Sequence, residues 1–177
     1  MADSNITKRV LKNSLKILMS ETSFSKICIA DICNKCSMNR KSFYYHFHDK
    51  YELVNWTFDS EFVLKILPNV ENSFVDILKA LCGYLYTNRV FYRQAFAIEG
   101  QNSFCDHFAD WSKKELAVKL KLDGEHIEYM NRTFSIMLLN SVKCWIIENE
   151  SISPKEFVES FLHIFNNFSK EALSETK

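Results

Sequence analysis

Glycine occurs three times in 177 residues, at Gly83, Gly100 and Gly124, and proline twice, at Pro68 and Pro154. A turn-rich β fold needs many residues that tolerate positive φ or interrupt a hydrogen-bond ladder. This scarcity leaves long unbroken segments and points to an all-α chain. Helices on this scale need a core. Apolar residues make up 47% of the chain and aromatic residues 14%, with 15 phenylalanines leading, which is ample material. A chain of this size buries roughly 70% of the surface its unfolded form exposes, so no disulfide or metal staple is required. Such a composition also excludes intrinsic disorder.

Hydrophobic periodicity divides the chain into about nine helices. The first, at about 5–20, places Ile6, Val10, Leu11, Leu15 and Leu18 on one stripe, with Lys8, Arg9, Lys12 and Lys16 on other faces. Two short helices follow at about 29–36 and 40–47, joined by Ser37-Met38-Asn39. A longer helix opens at Asp49-Lys50-Tyr51-Glu52, which has capping-box form, and runs toward Pro68. Further helices are read at about 71–88, 89–97 and 103–121, with Gly100 and Gly124 as punctuation. A helix at about 125–148 carries Ile127, Met130, Phe134, Met137, Leu138, Ser141, Cys144 and Trp145 on one stripe. The last begins at Ser153-Pro154-Lys155-Glu156, a serine cap followed by proline at the first helical position. Its stripe is Phe157, Phe161, Ile164, Phe165 and Phe168. No internal repeat or low-complexity tract interrupts this organisation.

The formal net charge is zero, but its distribution is uneven. Residues 1–50 carry nine Lys/Arg against four Asp/Glu, and residues 51–177 carry thirteen against eighteen. A basic head on an acidic body suggests that the head meets a polyanion. The division expected from charge is a basic head at 1–50 and an acidic helical body at 51–177. No apolar run reaches the length of about 18 residues needed to span a bilayer. Met1 to Asn5 has neither the basic flank nor the apolar stretch of an export signal. The chain is expected to be cytoplasmic, without membrane contact, and its cysteines (Cys28, Cys33, Cys36, Cys82, Cys105 and Cys144) to be reduced thiols.

The informative stretch is ICIADICNKCSMNRKSFYYHFHDKYEL, from Ile27 to Leu53. Two short helices joined by three residues read as a helix-turn-helix, whose second helix fits the major groove. Phe43 and Phe47, four apart, should face inward, leaving Arg40, Lys41, Ser42, Tyr44, Tyr45 and His46 outside. Asn39 is a suitable N-cap. The first turn of this helix holds no acid, although the helix dipole normally favours one there. A helix that points its start at phosphates would be harmed by such a residue. Lys50 repeats the pattern in the first turn of the next helix, where its ammonium and free backbone N–H groups could share one phosphate.

These residues resemble the N-terminal domain of the tetracycline-repressor (TetR, or AcrR) family of bacterial regulators. The resemblance rests on Ile27-Cys28-Ile29-Ala30-Asp31-Ile32, on Ser42-Phe43-Tyr44-Tyr45-His46-Phe47 and on Lys50-Tyr51-Glu52-Leu53. It implies a three-helix head and a helical effector and dimerisation bundle. It also implies a homodimer gripping double-stranded DNA at a near-palindromic operator. Arg40, Lys41, Ser42, Tyr45 and His46 would then face bases or nearby phosphates, while Tyr44 and Lys50 would bind phosphate. The chain departs from the family at Ser37, where glycine is common, and at Cys28 and Ser42, where threonine is common. Asn88-Arg89-Val90-Phe91-Tyr92 and Trp145 followed by Ser153-Pro154-Lys155-Glu156-Phe157 look like the subgroup that includes activators of dihydroxyacetone-kinase operons. In that subgroup the last two helices pack against their symmetry mates as a four-helix bundle. Met137, Ser141, Trp145, Phe157, Phe161, Phe165 and Phe168 are the dimer-interface candidates on that reading. Its activators work with a ligand-sensing co-activator protein, so the body could answer either to a small-molecule effector or to such a partner.

Other constellations are weaker. Cys28, Cys33 and Cys36 have a spacing found in some iron–sulfur proteins. Small buried thiols packing like alanine account better for the latter two. The histidines lack carboxylates at ligand spacing, so no metal or cofactor is expected. No phosphate loop, nucleophile elbow or zinc-protease motif suggests an enzyme. Among the body aromatics, Phe62, Tyr84, Phe96, Trp111 and Phe134 are candidates to line an effector pocket between helices.

Overall fold

The computed structural model describes residues 2–71, 73–100, 102–119, 125–149 and 151–174, and the side chains of all of these except 2, 3, 125–127, 165 and 168–174. Among the described residues there are nine α-helices and no strand. They are α1 (Ala2–Glu21), α2 (Ile29–Lys35), α3 (Arg40–Tyr44), α4 (Lys50–Phe58), α5 (Phe74–Thr87), α6 (Arg89–Phe96), α7 (Phe104–Lys119), α8 (Glu125–Glu148) and α9 (Pro154–Ser174). Several of their starts are set by short polar side chains. Ser73 Oγ accepts the Asp76 N–H, and Asp49 Oδ1 accepts the Glu52 N–H. Ser153 and Glu156 cap reciprocally, each side chain taking the other's N–H.

The segment expected to form the head holds α1 to α3, with α2 packed on α1 and on α3, and α1 also packs against α4 and α6 of the expected body. α7 lies along α8, and α9 packs on α5. The buried apolar residues of head and body form one continuous cluster, from Leu11 and Phe43 through Phe58 to Trp145 and Val158.

Three expectations change here. The buried stripe of α1 is Leu11, Leu15 and Met19, while Ile6 stands in solvent. Lys12, read as an outward residue, is only 5% exposed because its ammonium pairs with Glu61 at 2.6 Å. The long fourth helix is not uniformly α-helical. Beyond Phe58 it widens into a π-helical stretch, Asp59–Ile66, and closes with a 3-10 turn at Leu67–Asn69 containing Pro68. The hydroxyls of Thr57 and Ser60 take the carbonyls of Leu53 and Thr57 where the ladder changes, a local competition that bends helices. Finally, the single stripe read on α8 divides. Leu138 and Trp145 turn inward with Val142 and Ile146, whereas Met130, Met137 and Cys144 are exposed. Ile127 falls outside the described side chains.

Candidate nucleic-acid interface

The chain reverses between α2 and α3 through Ser37, whose φ of 55° is left-handed. The Met38 N–H reaches back to the Cys33 carbonyl at 2.9 Å and the Ser37 N–H to that of Asn34 at 3.2 Å. These two bonds make a Schellman turn, with serine at the position glycine usually fills. A side chain there costs about 1 kcal/mol, and the two bonds offset part of that. The Cys33 and Cys36 thiols lie against carbonyls of Asn39 and Ile32, at 3.7 and 3.2 Å, and so pack within the head.

Asn39 then caps α3. Its Oδ1 accepts the Ser42 N–H at 2.8 Å and the Ser42 hydroxyl at 3.1 Å. No acid occupies the first turn. Helical bonding continues past Tyr44, with the N–H groups of Tyr45 and Phe47 donating to the carbonyls of Lys41 and Phe43. Phe43 and Phe47 are 0% and 2% exposed, with ring centroids 5.8 Å apart, and anchor this rod in the head. Arg40 and Lys41 are exposed at the start of the helix. Tyr44 and Tyr45, at its end, are 57% and 82% exposed. His46 is half-buried. Burial, and then the Lys8 ammonium, hold its pKa below the ordinary imidazole value. Lys8 itself sits over the Phe47 and Trp56 rings at 5.3 and 5.7 Å, tying α1 to α3 and α4.

Lys50 departs from expectation. Its ammonium donates to the carbonyls of Phe24 and Ile27, both at 2.7 Å, and lies 4.3 Å from the Phe24 ring centroid. A cation so occupied fastens the loop before α2 to α4. It does not stand free for a phosphate. The Phe24 carbonyl, which also accepts the Ile27 N–H at 3.2 Å, and the Ile27 carbonyl converge on this one cation, and a pattern of single residues does not reveal them.

In the body, the expected pocket aromatics are mostly packing material. Phe62 and Phe96 are fully buried, and Phe62 lies against Tyr84 and Trp111 with centroids 5.5 Å from each. Phe96 meets Phe104 at 5.0 Å and Phe108 at 5.6 Å. Phe134 is half-buried and edges Phe74. Of the five candidates, Trp111 borders a cavity of about 20 Å³ between α5, α7 and α8, with Leu81 and Leu138 among its walls. Its indole N–H, though buried, has no partner.

The dimer candidates also separate. Trp145 is an intrachain residue: it stacks between Tyr86 and Phe157, and its N–H donates to the Ile152 carbonyl at 2.9 Å. Phe157 and Phe161 are half-buried against the core, and Ser141 donates to the Met137 carbonyl of its own helix. Tyr129, Met130, Ile136 and Met137 on α8 and Ile164 on α9 are exposed apolar side chains. Phe165 and Phe168 lie outside the described side chains.

A polar junction between head and body was not anticipated. Glu61, in the π-helical stretch, accepts from Lys12 and Lys16 of α1, each at 2.6 Å. It also accepts from the Tyr84 hydroxyl at 2.9 Å. Burial pushes its carboxyl upward, but the two lysine hydrogen bonds outweigh that and hold it below its ordinary value. The one clue in the sequence is that Lys12 and Lys16 flank Leu11 and Leu15.

Comparison with known proteins agrees with this architecture. The family model described as the C-terminal region of transcriptional regulators, a TetR C-terminal family, matches residues 72–167, more than half of the chain. The HTH-type dhaKLM operon transcriptional activator DhaS of Lactococcus lactis subsp. lactis (strain IL1403) is 28% identical over 158 residues, covering 86% of this chain and 82% of its own. Among solved structures, the dihydroxyacetone kinase operon activator DhaS superposes with a TM-score of 0.65 at 22% identity, over 94% of this chain and 96% of that one. Native NalD, the secondary repressor of the MexAB-OprM multidrug efflux pump in Pseudomonas aeruginosa, gives 0.63 at 15% identity, over 93% and 96%. These two likenesses speak for the fold.

Proposed function

The chain belongs to the TetR family of transcriptional regulators, and we propose that it acts as a homodimer whose two heads read the halves of a near-palindromic operator. Residues 1–50 would supply the head and residues 51–177 the regulatory and dimerising body. The observation that carries this reading is the division of α3. Phe43 and Phe47 are locked inside, while Arg40 and Lys41 at the start of the helix and Tyr44 and Tyr45 at its end are exposed, and its first turn holds no acid. Cations and phenolic hydroxyls on a rod of this width suit phosphates and base edges in a major groove. Asn39 and Ser42 contribute by holding the start of that rod. The exposed apolar residues Tyr129, Met130, Ile136 and Met137 of α8 and Ile164 of α9 would meet their symmetry copies, which holds the heads about 34–36 Å apart.

Enrichment from a random duplex pool tests this. The purified protein should select a two-fold related sequence bound by two chains per duplex. Failure to enrich any sequence, or binding by one chain alone, would remove the proposal.

Control by a small effector is the simpler regulatory reading, as a shift between two arrangements of the heads. Control by a partner protein is the second reading. It is favoured by the packing of Phe62, Tyr84 and Phe96 against their aromatic neighbours, which fill the space between them. A partner-controlled regulator would change its DNA affinity on adding a single purified protein and not on adding metabolite extract stripped of protein; the reverse outcome selects the effector.

A further inference from the structure

Besides the Lys8 contact with the Trp56 ring, helix α1 is fastened to the body by hydrogen bonds at two places. Near its middle, Lys12 and Lys16 converge on the two oxygens of Glu61, and Lys16 also donates to Asn88 Oδ1 at 3.0 Å. Behind Glu61 the Tyr84 hydroxyl lies 2.6 Å from that of Tyr92, which is buried in the body. At the C-terminal end of α1, Gln94 makes a second fastening. Its Nε2 donates to the Met19 carbonyl and, at 3.1 Å, to that of Thr22, while its Oε1 accepts the Phe24 N–H at 2.5 Å. Gln94 stands on α6, and the opposite end of that helix is fixed in turn. Arg89 donates to the carbonyls of Trp145 and Ile146, both at 3.1 Å, in the last turns of α8. α6 is thus an eight-residue strut between the end of α8 and the end of α1.

One fastening would let the head swivel. Two fastenings separated along α1, each anchored to a different part of the body, fix its angle. The pairs are also directional: Gln94 reads two carbonyls and one N–H, and Glu61 offers one oxygen to each lysine. None of these groups lies on the exposed face of α3. We infer that Glu61 and Gln94 are positioning residues that set the angle of each head on the body. They thereby determine which half-site spacing the dimer accepts, and not which bases it prefers. This inference rests on the dimeric DNA-binding reading above.

The test uses the full-length protein and the duplex selected from the random pool, remade with one base pair inserted or deleted at its centre. Wild type should favour the selected spacing over its neighbours by at least about fivefold, the low end of an energetic coupling between sites. Glu61→Gln and Gln94→Met should bring that ratio close to one. Their penalty for a changed half-site base, and their salt dependence, should remain those of wild type. A variant that merely lost folded protein would bind less at every spacing and keep the ratio. Folded variants that retain the wild-type ratio overturn the inference while leaving the proposed function standing. A wild type that binds no duplex removes both. If Glu61→Gln does not fold, Gln94→Met removes only uncharged hydrogen bonds and decides the matter by the same ratio.

Discussion

The head and the body use the same residue types in opposite ways. On α3, Tyr44 and Tyr45 stand in solvent beside Arg40 and Lys41. In the body, Phe58 is surrounded by Phe62, Tyr92, Phe104, Phe108 and Trp111, with ring centroids 5.2 to 6.5 Å away, and all of these rings except Trp111, which borders a small cavity, are fully enclosed. An aromatic cluster of this density is a source of stability, in edge-on and offset pairs that add to the burial itself. An aromatic pair left largely in solvent next to cations is a contact surface. Aromatic richness alone therefore says nothing about function; what adjoins each ring decides it.

Breaking the comparison from the body side should have the largest effect. Phe58→Ala is expected to lower the unfolding free energy by about 3–5 kcal/mol, read by urea titration. Molecules that remain folded should keep their DNA affinity more nearly than the head variants do. Glu61→Gln at the junction should cost about 2 kcal/mol, since two partly buried ammonium groups lose their counter-charge. Its pH dependence has a definite sign. The folded-state pKa of Glu61 lies below the ordinary 4.5, so its stabilisation is present above 4.5 and is lost as pH falls through the lowered value. The gap in thermal midpoint between wild type and Glu61→Gln should be full near neutrality and close in acid. A gap that widens on acidification would contradict the assignment.

From the head side, Tyr45→Ala should leave the thermal midpoint alone and weaken operator binding about tenfold, or roughly 1.4 kcal/mol. A fall in stability without a fall in affinity would place Tyr45 with the body aromatics instead. The smallest effect belongs to the turn. Ser37→Gly should relieve the left-handed strain and stabilise the chain by up to about 1 kcal/mol, raising the thermal midpoint while affinity holds.

The turn and α3 were legible in the sequence because their signals are local. The Phe43/Phe47 spacing, the Asn39 cap, the missing acid and the three-residue turn all fall within one short stretch, Ser37 to Phe47. The helix count was legible for the same reason, from periodicity and caps. What was hidden depends on distance. Lys12 reads as a solvent residue until Glu61, 49 positions away, is brought beside it. Lys50 reads as a free cation until the carbonyls of Phe24 and Ile27 are folded onto it. Phe62, Tyr84 and Phe96 have the composition of a pocket lining, and only the approach of neighbouring rings shows that they fill the space. Trp145 sits on the stripe expected for a dimer face, yet Tyr86 and Phe157 cover it within one chain.

The outward face of α3 carries the central claim, and the salt dependence of duplex binding by Arg40→Ala/Lys41→Ala measures it. The slope of log affinity against log salt should become shallower by about 0.9 for each phosphate that the variant no longer neutralises, with stability unchanged. A double variant with the affinity and slope of wild type would mean that this face does not meet DNA.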